Sequence, residues 1–383
     1  MNSQFSSEQV IKRMKIGVVT PYFYPAWEYG GTPRAAFELA RALAARGHEL
    51  RVLTTGSKTE TKTVHGIRIL YYRNLSSGLA FEHRLFLPLG FRPGLRQELR
   101  SCDILHIHEF RSTLTGPAVR IARRMSIPYV LSPHGGLQHL GKRVAKTIFD
   151  LIWGRSILEN AAAVPVLTEK EKHDAVQFGA RESRVHRLPN AIDAEAYTDL
   201  PARTTSRKTI LFLGRLNRIK GVDVLLKAFE GLQDVQLVLA GPDDGDGARI
   251  PPDANILKMG FLDHDAKLQA LVNSDIVVLP SRSEASPAVL YETLLCLRPA
   301  VVSSACELPM RDPAKYGILQ FKSMEAGDLR EKLLFALTNR HLSDNAAVGR
   351  DFVLKNFSPE VVAEQAERIY EEAIFRGNRL PRA

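Results

Sequence analysis

The sequence predicts an α/β protein of two doubly wound parallel-sheet domains facing each other across a cleft. Three observations lead there. A chain of 383 residues exceeds the size at which a single hydrophobic core keeps growing, so two domains of similar size are expected. Short β-branched runs alternate with amphipathic helical stretches, the order of a parallel sheet covered by helices. That alternation stops once, over a polar and poorly periodic stretch at 189–209, and then starts again.

The elements follow in order. "KIGVVT" (15–20) reads as a buried first strand. In "TPRAAFELARALAARGHEL" (32–50), Ala36, Leu39, Ala40 and Leu43 recur at helical spacing. Thr32 suits the N-cap, Pro33 the first helical position and Gly47 the stop. "RVLTT" (51–55) supplies a second strand, and "DILHIHE" (103–109), "PYVLSPHG" (128–135) and "AAAVPVLT" (161–168) read as later strands of the same sheet. "LTGPAVRIARRM" (114–125) and "AKTIFDLIWGRSILENA" (145–161) read as helices. The first domain therefore spans 1–190, a linker 191–208 and the second domain 209–356. The second series runs through "ILFLGRL" (210–216), "VDVLLKAFEGL" (222–232), "VQLVLAG" (235–241), "KLQALVNS" (267–274), "DIVVLP" (275–280), "LYETLLCL" (290–297) and "PAVVSS" (299–304). No sequence repeat relates the halves. In such sheets, ligands sit beyond the carboxyl ends of the strands, where helix N-termini point.

Composition narrows the function classes. An apolar fraction of 45% and a charged fraction of 25% belong to a soluble globular protein. Cys102, Cys296 and Cys306 are widely spaced and fit no zinc or CxxC pattern, so they read as reduced thiols. The first residues lack a signal-peptide core, and no apolar run reaches the roughly 18 to 20 residues that span a bilayer. A cytoplasmic protein is expected, at most peripheral at the inner face of the membrane. Residues 1–190 hold 28 Lys and Arg against 15 Asp and Glu, a net +13; residues 191–383 hold 24 against 27, a net −3. The basic half is expected to meet something anionic, or simply to carry a solvated basic surface. No zinc-finger, RNP or basic-zipper pattern is present, so nucleic acid is not expected as a partner.

Three motifs carry the chemistry. "SRSEASPAVLYE" (281–292) places Glu284 just past a strand and Glu292 inside the following helix. Ser286 suits its N-cap and Pro287 its first position, which leaves the amides of Ala288 and Val289 facing outward, where they favour an anion. A phosphate flanked by two carboxylates fits a phosphorylated polyol, because carboxylates accept from vicinal hydroxyls. The same pattern also suits a plain helix start with Glu292 exposed. "FLGRLNRIKG" (212–221) puts Arg215 and Lys220 between a strand and a helix, a fork and a mobile point charge suited to a diphosphate. Gly30 and Gly31 precede the first helix, where backbone can approach a ligand closely.

Taken together, these residues resemble the retaining glycosyltransferases of family four, with the GT-B fold. "SEASPAVLYE" is similar to that family's pair of glutamates, "GRLNRIKG" to its Arg/Lys diphosphate motif and "YGGTPR" to its glycine loop. "LPNAID" resembles its linker motif, with Ala191 where glycine is usual, and "FSPEVVAEQAERIYEEAI" its C-terminal helix. The resemblance spans nearly the whole chain and implies two Rossmann-like domains, with a C-terminal helix (357–383) packing back on the first.

For the site, the resemblance implies that Arg215 and Lys220 neutralise the donor diphosphate. It implies further that Glu284 accepts from the transferred sugar, Glu292 from the ribose, and that Gly30, Gly31, Pro287, Ala288 and Val289 line the donor. His134 of "LSPHGG" corresponds to the family's active-site histidine, though a histidine after a buried strand also serves structure. Pro287 stands where many members have glycine and removes one amide donor, which a first helical turn tolerates.

The partners implied are a nucleotide-sugar donor and a saccharide or lipid-linked acceptor, with neither a metal nor another cofactor. Asp244-Gly245-Asp246 mimics the metal motif of another glycosyltransferase fold, but its turn-rich setting reads as a solvent loop. "LGKRVAKTIFDLIWGR" (140–155) reads either as an amphipathic helix facing an anionic membrane or as an ordinary core helix. Two other functions stay open: a GT-B sugar-nucleotide epimerase or hydrolase, and a non-catalytic nucleotide-sugar-binding protein.

Overall fold

Strands buried on both faces need apolar side chains in both directions, and the strand segments of this chain supply them. The computed structural model describes residues 12–83, 85–137, 149–245, 250, 251 and 253–377. It divides into two compact units. The first takes in the chain to Val166, Lys172–His186 and everything from Ala363 onward; the second takes in Leu167–Glu171 and Arg187–Val362.

In the first unit, β1 (Lys15–Val19), β2 (Glu49–Gly56), β3 (Glu60–Val64), β4 (Ile67–Arg73), β5 (Ile104–His108) and β6 (Tyr129–Ser132) form one sheet. Their order is β3-β4-β2-β1-β5-β6. Every pair is parallel except β3 with β4, an antiparallel edge hairpin. That hairpin departs from the all-parallel expectation: two residues separate its strands, too few for a crossover. Strand β7 (Val164–Val166) joins the sheet only through an isolated Val130–Ala163 bridge, and it pairs instead with β8 (Val185–Arg187).

The second unit is parallel throughout. It consists of β9 (Lys208–Leu213), β10 (Val235–Ala240), β11 (Ile256–Gly260), β12 (Ile276–Leu279), β13 (Ala300–Ser303) and β14 (Ile318–Phe321), in the order β11-β10-β9-β12-β13-β14. Side chains alternate between two cores. Ile210, Phe212, Leu237, Leu239, Ile276 and Val278 enter one; Leu211, Val238, Ala240, Val277 and Leu279 enter the other. Ile192 and Tyr197, from the stretch 191–208, are buried in the latter core.

Both sheets are doubly wound. Strand order reverses between β1 and β5 in the first unit and between β9 and β12 in the second. Those reversals open crevices at the carboxyl ends of the strands.

The C-terminal helix, Pro359–Gly377, packs into the first unit from Ala363 on. Glu367 accepts from Arg46 Nη2 (2.8 Å) and His48 Nε2 (2.8 Å). His48 Nδ1 accepts from the Met14 amide (3.1 Å), which places the ring proton on Nε2. Tyr370 is fully buried, and its hydroxyl shares a hydrogen bond with His106 Nδ1 (2.7 Å).

Cys102, Cys296 and Cys306 are free, and burial pushes their thiols up to about 11, 12 and 12. No helix among the described residues is long and apolar enough to cross a membrane. Residues 138–148, most of the amphipathic stretch read at 140–155, lie outside the described residues, as does Asp246.

Candidate active site

In the second unit, two loops leave adjacent strands at the point where strand order reverses. One follows β9 and carries Arg215 and Lys220; the other follows β12 and carries Glu284. Asn217 caps the short turn Arg218–Lys220, its Oδ1 accepting from the Lys220 amide (2.9 Å). Gly221 then takes φ +76°, and a Cβ there would lie 2.0 Å from the Pro280 carbonyl oxygen. Only glycine lets the two loops come this close. Arg282 ties them further: its guanidinium grips both oxygens of Asp223 at 2.7 Å, and its amide donates to the Ile219 carbonyl (2.8 Å).

This framework brings Lys220 and Glu284 into direct contact, Nζ donating to Oε2. Ser281 Oγ also donates to Glu284 Oε2 (3.4 Å), and the Glu284 carbonyl accepts from the Glu307 amide (3.2 Å). Arg215 donates to Asp244 Oδ2 (3.0 Å), which Asn217 Nδ2 also reaches at 2.8 Å. Asp244 thus stands as the partner of Arg215, a role its turn-rich context did not announce.

The helix after Glu284 starts one residue later than the sequence predicts. It runs Ala288–Leu295 with Pro287, not Ser286, at the cap; Pro287 has ψ 98°, an extended value outside the helical range. Ala288 and Val289 have no carbonyl one turn back to donate to, and the first turn closes from the Leu290 amide to the Pro287 carbonyl (2.9 Å). Glu292 is buried rather than exposed on this helix. Lys267 Nζ donates to its Oε1 (2.7 Å) and to the Tyr197 hydroxyl (2.9 Å), so the buried carboxylate is paired.

In the first unit, the glycine loop stands at the start of the first helix and His134 just past the end of β6. The first helix runs Gly31–Ala45, so it begins before Pro33, with Gly30 at the cap in a conformation (φ +106°) that only glycine adopts freely. A side chain added at Gly31 would meet nothing within 4 Å. Packing therefore does not require glycine at 31, and the space beside it is open.

His134 follows β6 with φ +51° and shares a hydrogen bond with His108 (Nε2 to Nδ1, 2.8 Å). Burial lowers His134 to about 4 and His106 to about 3, the latter helped by the neighbouring His134; burial also holds His108 well below the usual range. All three rings are neutral near pH 7. His106 in turn meets Ser132 Oγ through Nε2 (2.8 Å).

Four residues of this cluster, His106, His108, Glu109 and Arg111, lie in or just past "DILHIHE", which the sequence reads only as a strand. Glu109 has φ +76°, and burial raises its carboxyl to about 8. Arg111 grips Asp150 (2.8 and 2.7 Å) and donates to the Gly136 carbonyl, which anchors the loop that carries His134. The available signal was a His-x-His-Glu run at a strand's carboxyl end.

Two family models match the chain: Glycosyltransferase Family 4 over residues 29–196 and Glycosyl transferases group 1 over residues 207–339. The chain is 26% identical, over 397 residues, to the phosphatidyl-myo-inositol mannosyltransferase of Mycobacterium leprae, covering 96% of this chain and 99% of the relative. Its structure is similar to sucrose-phosphate synthase of Thermosynechococcus elongatus, with TM-score 0.74 at 17% identity over 95% of this chain and 100% of that one. It is also similar to Anabaena HepE in complex with UDP and glucose, with TM-score 0.70 at 16% identity over 94% and 100%. At such identities the likeness to solved structures concerns the fold, and that fold is GT-B.

Proposed function

Because the chain belongs to the family 4, group 1 glycosyltransferases, we propose that it is a retaining, metal-independent transferase of this class. It moves a hexosyl group from a nucleotide-diphosphate sugar to a hydroxyl of a lipid-linked or saccharide acceptor, in bacterial surface or exopolysaccharide biosynthesis. The second unit holds the donor and the first the acceptor. The observation that carries the reading is the meeting of Lys220 and Glu284 where strand order reverses. A cation and a carboxylate side by side suit the two ends of one ligand, diphosphate on Lys220 and sugar hydroxyls on Glu284.

In this reading the bond from the anomeric carbon to the diphosphate oxygen breaks while the acceptor oxygen bonds to the same carbon from the same face. The acceptor's proton passes to the departing phosphate oxygen. Arg215, Lys220 and the amides of Ala288 and Val289 stabilise the charge that develops there, through groups already in place. Donor phosphates displace Asp244 from Arg215 and share Lys220 with Glu284. Glu292 accepts from the ribose, and in the first unit His134 stands by the acceptor as a neutral imidazole. The similarity to an enzyme named for mannosyl transfer to phosphatidyl-myo-inositol supports a lipid-linked acceptor.

The test is a donor screen by thermal shift with UDP-, GDP-, ADP- and dTDP-sugars, followed by turnover with the stabilising donor. Lys220→Ala is expected to lower kcat on the order of 10²- to 10³-fold, the usual loss when one charge-stabilising group is removed. Near-normal turnover in that variant would sink the clamp. Donor consumption without any acceptor would favour an epimerase or hydrolase.

A further inference from the structure

A third loop meets the two that carry Arg215, Lys220 and Glu284. It follows β10, which flanks β9 on the side away from β12. Backbone fastens it to the loop after β9. The Gly214 amide donates to the Ala240 carbonyl (2.9 Å), the Leu216 amide to the Pro242 carbonyl (2.9 Å) and the Asp244 amide to the Leu216 carbonyl (3.2 Å). Gly241 takes φ +142°, and a Cβ there would lie 1.9 Å from the Gly214 carbonyl oxygen. The two loops are therefore joined without help from any charge.

That fastening fixes where Asp244 stands. Its Oδ2 accepts from Arg215 Nη1 (3.0 Å) and from Asn217 Nδ2 (2.8 Å). These partners differ in kind. Asn217 is buried, and its Oδ1 accepts from the Lys220 amide (2.9 Å). A backbone amide can only donate, so it turns the amino group of Asn217 toward Asp244. Arg215 and Asp244, by contrast, have side chains that are each 47% exposed. An ion pair that open holds weakly and parts readily. Carboxylate and phosphate offer a guanidinium the same kind of acceptor oxygens. Asp244 thus gives Arg215, from within the chain, what a donor phosphate would give it.

We propose that Asp244 is a competing counter-anion that governs release of the nucleoside diphosphate product. Between turnovers it holds Arg215, it yields Arg215 to the incoming diphosphate, and it takes Arg215 back as the product departs. Asp244 stays on Asn217 throughout, so the exchange moves one side chain and leaves the loops in place. Arg215 is at no stage an uncompensated charge, and the leaving diphosphate is replaced by an anion already at hand. This rests on the donor reading and adds to it a residue for the step after transfer.

Titration calorimetry of the full chain with UDP, GDP, ADP and dTDP tests this, with stopped-flow dissociation of whichever binds. Asp244→Asn keeps a side-chain oxygen for Asn217 and removes the charge. It is expected to bind the nucleoside diphosphate about two- to fivefold tighter, the range that an exposed ion pair holds. The gain is expected in a slower off-rate. Asn217→Ala, which loosens the Lys220 turn, is expected to bind more weakly, whereas a merely structural Asp244 would weaken binding in both variants. In an Arg215→Gln background, Asp244→Asn is expected to change affinity by less than about twofold. Unchanged or weaker binding by Asp244→Asn overturns the proposal. So does an undiminished gain without Arg215, which would make Asp244 a source of plain repulsion. If none of the four nucleotides binds the parent, the donor reading fails and the proposal with it; binding by the parent with no gain in Asp244→Asn defeats the proposal alone.

Discussion

At the scale of single residues, titration separates groups that the fold holds neutral. Burial keeps His106 near 3 and His134 near 4, below the roughly 6.5 of free imidazole. Between those values the unfolded chain binds more protons, so their contribution is full above about pH 6.5 and is lost as pH falls toward the folded values. Glu109 works in the opposite sense. Burial raises it to about 8, so its contribution is full below about pH 4.3, the ordinary range, and is lost as pH rises through 8. Glu109→Gln is therefore expected to gain thermal midpoint relative to the parent as pH rises, with a larger gain at pH 8 than at pH 5. Equal shifts at both pH values would show that Glu109 is not held protonated. Arg215, Lys220, Glu284 and His134 were all legible in the sequence as residues at strand ends. Glu109 and His108 were not, because their role depends on which neighbours enclose them.

At the scale of elements, the two loops of the second unit are held together by backbone approach as much as by charge. Gly221 is the narrowest point. Gly221→Ala is expected to cost at least about 2 kcal/mol, since a left-handed non-glycine residue alone costs about 1–3 kcal/mol and the added Cβ would collide with the Pro280 carbonyl. Urea unfolding measures the loss, and the donor-induced thermal shift should fall with it as Lys220 moves off Glu284. Parent-like stability would mean that the loops tolerate separation. Helix and strand identities were readable from periodicity, but exact starts were not. The helices at Gly31 and Ala288 each begin within two residues of the proline-based expectation, because proline fits the cap as readily as the first turn. The β3–β4 hairpin carries no strand signal in the sequence because "ETKTV" is polar on both faces, as an edge strand allows.

At the scale of the whole molecule, the last helix closes the first unit through polar contacts as well as apolar ones. Tyr370→Phe removes the partner of buried His106 Nδ1, and an unsatisfied buried acceptor or donor costs about 1–3 kcal/mol. Urea unfolding of that variant should show a loss of this size; an unchanged midpoint would mean that the hydroxyl is dispensable. By itself the sequence determined that two doubly wound sheets form and which residues stand at their strand ends. Both follow from local pattern: continuous apolar runs, helix starts and the loops between them. Only the tertiary structure decided which charged or ring group meets which: Lys220 with Glu284, 64 residues apart, Arg215 with Asp244, and His108 with His134. The physical reason is strand order. Pairing of β9 with β12 and of β5 with β6 brings distant loops together, and no local spacing records that adjacency.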